Sequence, residues 1–321
     1  MHLLTTVLAS AVLVSSLARA EPILYGGNGG HPTLDGTPLS INNGWLVSID
    51  QSTGAVDPIG HPTGVARLSG IAFVGSDLLY GSTLGGGGFP DFPPQPNVSH
   101  LIQINPVSGA LVSDIGQITD GVGGPGIAIS DLAIQPGTGV LYGIESTEAE
   151  GGTKTQLGNL YTINRITGVA TLVGPTGIQN ASLAFAPNGT LYITTANVNP
   201  DDPSGAFIDV NVDTVDPSTG RIRTSVPTPM FWAALAFDPT TGLLFGGTGG
   251  GNDLTSVSGD IFEIDPATGN IAGHVSTTGK NFVGDLDFRP VPEPISLTLM
   301  ATGLAAILCY RRRERKHRSA H

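Results

Sequence analysis

The side chains with the most chemistry to offer lie in short acidic groups. Glu145, Glu148 and Glu150 are close neighbours, Asp201 adjoins Asp202, and Asp253 precedes Asp260 in a Gly-rich stretch. Oxygen-only groups of this kind are what Ca²⁺ takes. Calcium is therefore the one cofactor the sequence suggests, at Glu145, Glu148, Glu150, Asp253 and Asp260. The spacing of a regular Ca²⁺ loop is missing, and solvated acidic loops account for the same residues. His31, His61, His100 and His274 have no partner at metal-ligand spacing. A Ser-His-Asp triad would have to converge from distant segments, and no nucleophile elbow or paired-acid signature stands out. GGNGG from Gly26 and GGTGGGND from Gly246 lack the lysine and the following helix of a phosphate-binding loop. No catalytic residue is assigned. Phe231 and Trp232 can stack on sugar rings, although Trp232 fits a core role as well. With Asp201, Asp202 and Asp253 they form the candidate ligand face.

These residues have to be positioned by elements that tolerate glycine and proline. The 321 residues include 46 Gly and 24 Pro, and only 12% are charged. Helix interiors accept neither residue well, whereas strands joined by many turns accept both at their ends. The single cysteine, Cys309, rules out an internal disulfide and a cysteine-based metal site. Charge is divided unevenly. From Glu21 to Pro290 there are 24 acidic residues against 7 Lys and Arg, and after Tyr310 the balance reverses. The body would repel nucleic acid and anionic membrane surfaces, and nucleic acid is excluded as a partner.

Five segments share one turn: Asp50-Gln51-Ser52-Thr53-Gly54, Asn105-Pro106-Val107-Ser108-Gly109, Asn164-Arg165-Ile166-Thr167-Gly168, Asp216-Pro217-Ser218-Thr219-Gly220 and Asp265-Pro266-Ala267-Thr268-Gly269. Each follows a short alternating run. The leading Asp or Asn accepts backbone N–H bonds, and the glycine takes the left-handed position before the next strand. A second motif precedes the first in each unit, as IAF at Ile71, LAI at Leu132, LAF at Leu183, LAF at Leu235 and LDF at Leu286. A period near 50 residues made of four short strands is a propeller blade.

The expected fold is all-β: a five-bladed β-propeller whose first blade is stitched from both ends of the body. The last unit stops after Leu286, and its missing strands occur at Ile23, Trp45 and Ala55. Closure removes the exposed edges of an open stack. Six blades are the alternative, because the Ile71 unit is ten residues longer than the others. Kelch- and WD-type signature residues are missing, so the likeness to those propellers is one of architecture only. Tight turns should share one face and the long second-to-third links the other. The aromatics Tyr80, Tyr142, Tyr192 and Phe245 recur at equivalent positions and should pack between blades.

The two ends are of a different kind. Residues 1–20 read as a signal peptide, with an apolar Leu3–Leu17 and small Ala18 and Ala20 before the cleavage point. At the other end, Val291-Pro292-Glu293-Pro294 precedes an apolar run, 295–310, about 24 Å long as a helix. Arg311, Arg312 and Arg313 follow as a cytoplasmic stop. This order resembles the C-terminal sorting signal of PEP-CTERM proteins. The resemblance implies that Pro292, Glu293 and Pro294 form a processing motif for a membrane-embedded exosortase in a Gram-negative bacterium making exopolysaccharide and biofilm. The precursor would be anchored in the inner membrane through the C-terminal transmembrane helix, then passed to the cell envelope or exterior. The expected division is 1–20 signal peptide, 21–290 propeller and 291–321 sorting signal. The expected function is a non-catalytic cell-surface or matrix role, with extracellular polysaccharide as a partner. A structural coat protein and a secreted polysaccharide hydrolase or lyase are the alternatives.

Overall fold

A computed structural model describes residues 21–27, 44–65, 67–83, 98–145, 158–178, 182–198, 207–248, 260–275 and 284–291. The described residues form strands and turns grouped in five sheets, each built on four antiparallel strands, which are the five blades. The first blade orders β21 (Asp285–Arg289), β1 (Ile23–Gly27), β2 (Leu46–Ile49) and β3 (Val56–Gly60). The second runs β4 (Leu68–Val74), β5 (Leu78–Thr83), β6 (His100–Ile104) and β7 (Leu111–Gln117). The third runs β9 (Ile129–Ile134), β10 (Leu141–Glu145), β11 (Asn159–Ile163) and β12 (Val169–Pro175). The fourth is β13 (Leu183–Phe185), β14 (Leu191–Val198), β15 (Phe207–Val215) and β16 (Ile222–Pro227). The fifth is β17 (Ala234–Phe237), β18 (Leu244–Gly247), β19 (Ile261–Ile264) and β20 (Ile271–Val275).

The inner strands touch in the cyclic order β21, β4, β9, β13, β17 and back to β21, so the ring is closed. Closure is made by strands from opposite ends of the body: Ile23 pairs with Arg289 and Gly27 with Asp285. The alternative of six blades is not what forms. Part of the extra length of the Ile71 unit lies instead in the connection between β7 and β9, which carries β8 (Thr119–Asp120); β8 pairs in parallel with β12 on the outer edge of the third blade.

Each repeated turn does what its sequence dictates. At the first, Ser52 N and Thr53 N donate to Asp50 Oδ1 at 2.8 and 2.9 Å, while Gly54 N closes onto Asp50 O at 2.8 Å. Asn105 and Asn164 hold their turns through the same pair of bonds. The closing glycine has φ of +71° at Gly54 and +67° at Gly109, a left-handed conformation that a Cβ would strain.

Blades are joined by three repeated contacts. The recurrent aromatic of each second strand packs on the inner strand of the next blade. Tyr25 meets Phe73, Tyr142 meets Phe185, Tyr192 meets Phe237 and Phe245 meets Phe288, with ring centroids 5.0–5.4 Å apart. The last of these pairs spans the fifth and first blades. Where Ile134 replaces the phenylalanine, Arg165 lies over Tyr80 instead, 5.8 Å from the ring centre. Facing residues on the inner strands are small: Ala72, Ala133, Ala184 and Ala236 are all buried against the next blade.

Finally, the outer strand of one blade ends against the tight turn of the next. A Cβ on Gly60 would stand 2.1 Å from Ser108 O, and one on Gly174 2.2 Å from Thr219 O. Neither position has room for any side chain.

Candidate functional site

An inner propeller strand pairs with only one neighbour in its own sheet. Its other edge faces the axis, and the N–H groups there need acceptors because they are buried. Three aspartates supply them. Asp131 Oδ1 accepts Leu132 N at 2.6 Å, and its Oδ2 accepts Leu183 N of the next blade at 2.8 Å and the Ser182 hydroxyl at 2.5 Å. Asp287 repeats the arrangement with Phe288 N at 2.8 Å and Phe73 N at 2.6 Å. Asp285 does so with Leu286 N at 2.7 Å and with Ile71 N. Each carboxyl group bridges its own strand to the next, in place of the sheet bonds that diverging strands cannot make.

The carboxyl groups of Asp131 and Asp285 also stand close enough to share a hydrogen bond. They belong to the third and first blades, with β4 of the second between them. At the matching place β4 carries Gly70, where a Cβ would stand 2.6 Å from Ser82 Oγ and 2.8 Å from Leu132 N. Two fully buried carboxyl groups in contact cannot both be ionised cheaply. Burial pushes both upward, and the neighbouring Asp131 charge raises Asp285 further, so the pair holds a proton between them. Asp287 keeps some solvent-accessible surface, yet the strands packed around it push its carboxyl to about 7. The pair has no solvent access, with Asp131 at 1% and Asp285 at 0% exposure. It can hold strands together and store a proton, and it reaches no substrate.

The residues singled out from sequence are distributed differently. Trp232 is a core residue, fully buried, with Phe262 5.5 Å away and its face against Gly246. Its ring is enclosed by protein and presents no face to solvent. Phe231 is half-buried. Glu145 ends β10, where Asn159 Nδ2 donates to it at 2.6 Å and burial raises its carboxyl. Asp260 is buried in the fifth blade, 3.4 Å from His274 Nε2. Glu145 and Asp260 therefore lie in non-adjacent blades and share no site. Glu148, Glu150, Asp201, Asp202 and Asp253 lie outside the described residues. Among the described residues no group of three or more His, Cys, Asp or Glu is placed to hold a metal ion.

Two histidine–aspartate pairs escaped the sequence reading because their partners come from neighbouring strands. His100 Nδ1 lies 3.0 Å from Asp114, and His274 stacks on Phe262 at 4.4 Å beside Asp260. The axial acids were missed too. Their signal was present: in two of the five repeats the residue before the motif leucine is an aspartate flanked by apolar strand, in Ser130-Asp131-Leu132 and Gly284-Asp285-Leu286.

Ala18 and Ala20, the apolar run 295–310, and the Pro292, Glu293, Pro294 and Arg311, Arg312, Arg313 groups fall outside the described residues. Among the described residues no helix is long and apolar enough to cross a membrane.

Solved structures similar to this chain include a protein of unknown function from Bacteroides caccae, 13% identical, covering 84% of this chain and 99% of its own, with a TM-score of 0.46. A nidogen/laminin complex matches at 11% identity over 84% and 98% of the two chains, TM-score 0.49. A putative exo-β-1,3-galactanase from Bifidobacterium bifidum matches at 12% identity over 75% and 72%, TM-score 0.42. Likeness at this level says nothing of ligand or activity. No curated protein matches the chain. The C-terminal segment is another matter: residues 290–313 match the PEP-CTERM protein-sorting motif, which directs exosortase-mediated sorting to the cell surface or exterior.

Proposed function

We propose that this chain is an exported envelope or extracellular protein of a Gram-negative bacterium, whose ring is a non-catalytic binding unit for extracellular polysaccharide. The observation that carries the export half is the sorting motif at residues 290–313, beginning directly after the strand that closes the ring. In this reading residues 1–20 are removed on export. The run 295–310 anchors the precursor in the inner membrane until the exosortase acts at Pro292-Glu293-Pro294.

The binding half rests on a division of labour between the faces. Tight turns close one face with bonds used up internally. The second-to-third links, rich in Gly, Asn and acids, join strand ends on the opposite face, and connections on a rigid scaffold are where recognition residues concentrate. The most perturbed acids are spent on backbone N–H groups at the axis, which favours binding over catalysis.

The test is calorimetry of residues 21–290 against the producing strain's own extracellular polysaccharide, with Ca²⁺ and with chelator. Saturable binding that disappears when loops 197–205 and 247–260 are replaced is the expected result. No binding in either condition sinks the saccharide role and shifts the weight to a structural coat protein.

A further inference from the structure

β21 differs from the four other inner strands at two positions. Aligned on the repeated motif, the residue before it is Gly70, Asp131, Ser182, Ala234 or Asp285, and its middle residue is Ala72, Ala133, Ala184, Ala236 or Asp287. Only β21 carries an acid at both. Both acids reach across to β4, where they accept Ile71 N and, at 2.6 Å, Phe73 N. The strand is tied to the second blade by these carboxyls and to the fifth by packing, with Phe288 5.4 Å from Phe245.

β21 is also the inner strand best placed to leave alone. Its one sheet neighbour is β1, from the opposite end of the body. β4, β9, β13 and β17 each continue through a tight turn into the second strand of their own blade, whereas no strand follows β21 among the described residues. Its departure leaves the second to fifth blades with all their strands. Regions held by few connections open as separate units.

The groups facing the two acids offer no compensating cation. β9 presents Asp131, and β1 presents Tyr25, whose hydroxyl donates to Pro106 O at 3.1 Å. The strands β4, β17 and β18 carry no titratable side chain. Asp238, just beyond β17, is bound to the amides of its own turn. Arg289, two residues beyond Asp287, is engaged by Ser76 O, the Tyr25 hydroxyl and Asp77. Burial therefore raises Asp287 to about 7, and burial with the Asp131 charge raises Asp285 well above the ordinary value. Once the strand leaves, both acids meet water and return toward 3.8.

We infer that β21 is a proton-operated latch: it stays docked on β4 while its acids hold protons and leaves the ring as a unit when they are lost, with the other blades still folded. Opening is independent of pH below the ordinary aspartate value. Above it, opening rises about tenfold per pH unit for each proton held in the docked state, and it levels off once the docked acids have ionised.

Hydrogen exchange of the full-length chain, resolved into peptides by mass spectrometry and corrected for the intrinsic rise of exchange with pH, reads this opening. From pH 5 to pH 7, opening of residues 284–291 should increase at least about 100-fold, while β13 and β14 of the fourth blade stay protected. D287N should cut that rise by about tenfold or more, and D285N/D287N should remove most of it. A rise shared equally by β21, β13 and β14 means that the ring opens only as a whole, and overturns the latch. Constant protection of 284–291 from pH 5 to pH 7 overturns it too, as does a rise that D287N leaves intact. The wild-type comparison of the two regions decides the matter even where a variant fails to fold.

Discussion

The aspartates of the turns and those of the axis do the same job, accepting backbone N–H groups, and end with opposite acidities. At the rim Asp50 is fully in water, and the Ser52 hydroxyl with the turn amides lowers it to about 2. Asp216 and Asp265 are lowered too, chiefly by the Ser218 and Thr268 hydroxyls. At the axis Asp131 and Asp285 accept comparable bonds and are raised, because burial outweighs those bonds and the two acids oppose each other. Hydrogen bonds decide a carboxylate's state where water screens it; desolvation decides it where water is absent. The turn acids are local fasteners, and the axial ones bridge elements more than fifty residues apart in sequence.

The largest effect that breaks this comparison is Asp285→Ala. It leaves Ile71 N and Leu286 N without acceptors and removes the partner of Asp131. Chemical denaturation should show a loss of about 3–5 kcal/mol. At the other extreme of size and burial, Asn164→Ala at a turn should cost about 1 kcal/mol in the same assay. If the two losses come out equal, the axial carboxyls are not the ring's principal polar ties.

Between these lie two packing tests. Gly60→Ala places a methyl group on Ser108 O and should cost about 1–3 kcal/mol by overpacking. Phe185→Leu removes the ring that Tyr142 packs on and should cost about 1–2 kcal/mol. Thermal unfolding of each variant checks both. An unchanged midpoint for G60A would mean that the outer strand does not bear on the next turn.

The smallest effect is at low pH and sharpens the contrast. The turn acids have lowered values, so the stability they contribute is present above the ordinary aspartate value of 3.8 and lost as pH falls through about 2. D50N should therefore lower the thermal midpoint slightly at neutral pH and flatten its decline below pH 4.

The repeated grammar was readable because it is local. Asp-x-Ser-Thr-Gly states its turn within five residues, and the LAF motif states an inner strand by its spacing from that turn. Ring closure was readable for the same reason, since a unit cut after Leu286 at one end matches one opening at Ile23 at the other. The blade-to-blade contacts were half readable. Recurrence marked Tyr80, Tyr142, Tyr192 and Phe245, but their partners follow only from strand order around the ring. The axial acids were not readable as a site. Asp131 and Asp285 are 154 residues apart, and although the repeat puts them and Gly70 at one motif position, it does not show that the two acids meet across the glycine. Trp232 was ambiguous for a related reason: an aromatic just ahead of an inner strand faces core or solvent according to packing that the strand pattern does not specify.

The central claim is that buried, proton-sharing carboxyls tie the ring at its axis. Its most direct test is equilibrium unfolding of the chain and of D285N from pH 8 to pH 4. Raised acids bind protons in the fold that the unfolded chain has released. Their stabilisation is thus full below the unfolded value near 3.8 and is lost as pH rises through about 7. The wild-type ring should gain on the order of a few kcal/mol on acidification across this window, and D285N should lose much of that gain. A wild-type stability that is flat or falls from pH 8 to pH 5 would contradict the shared proton and the account built on it.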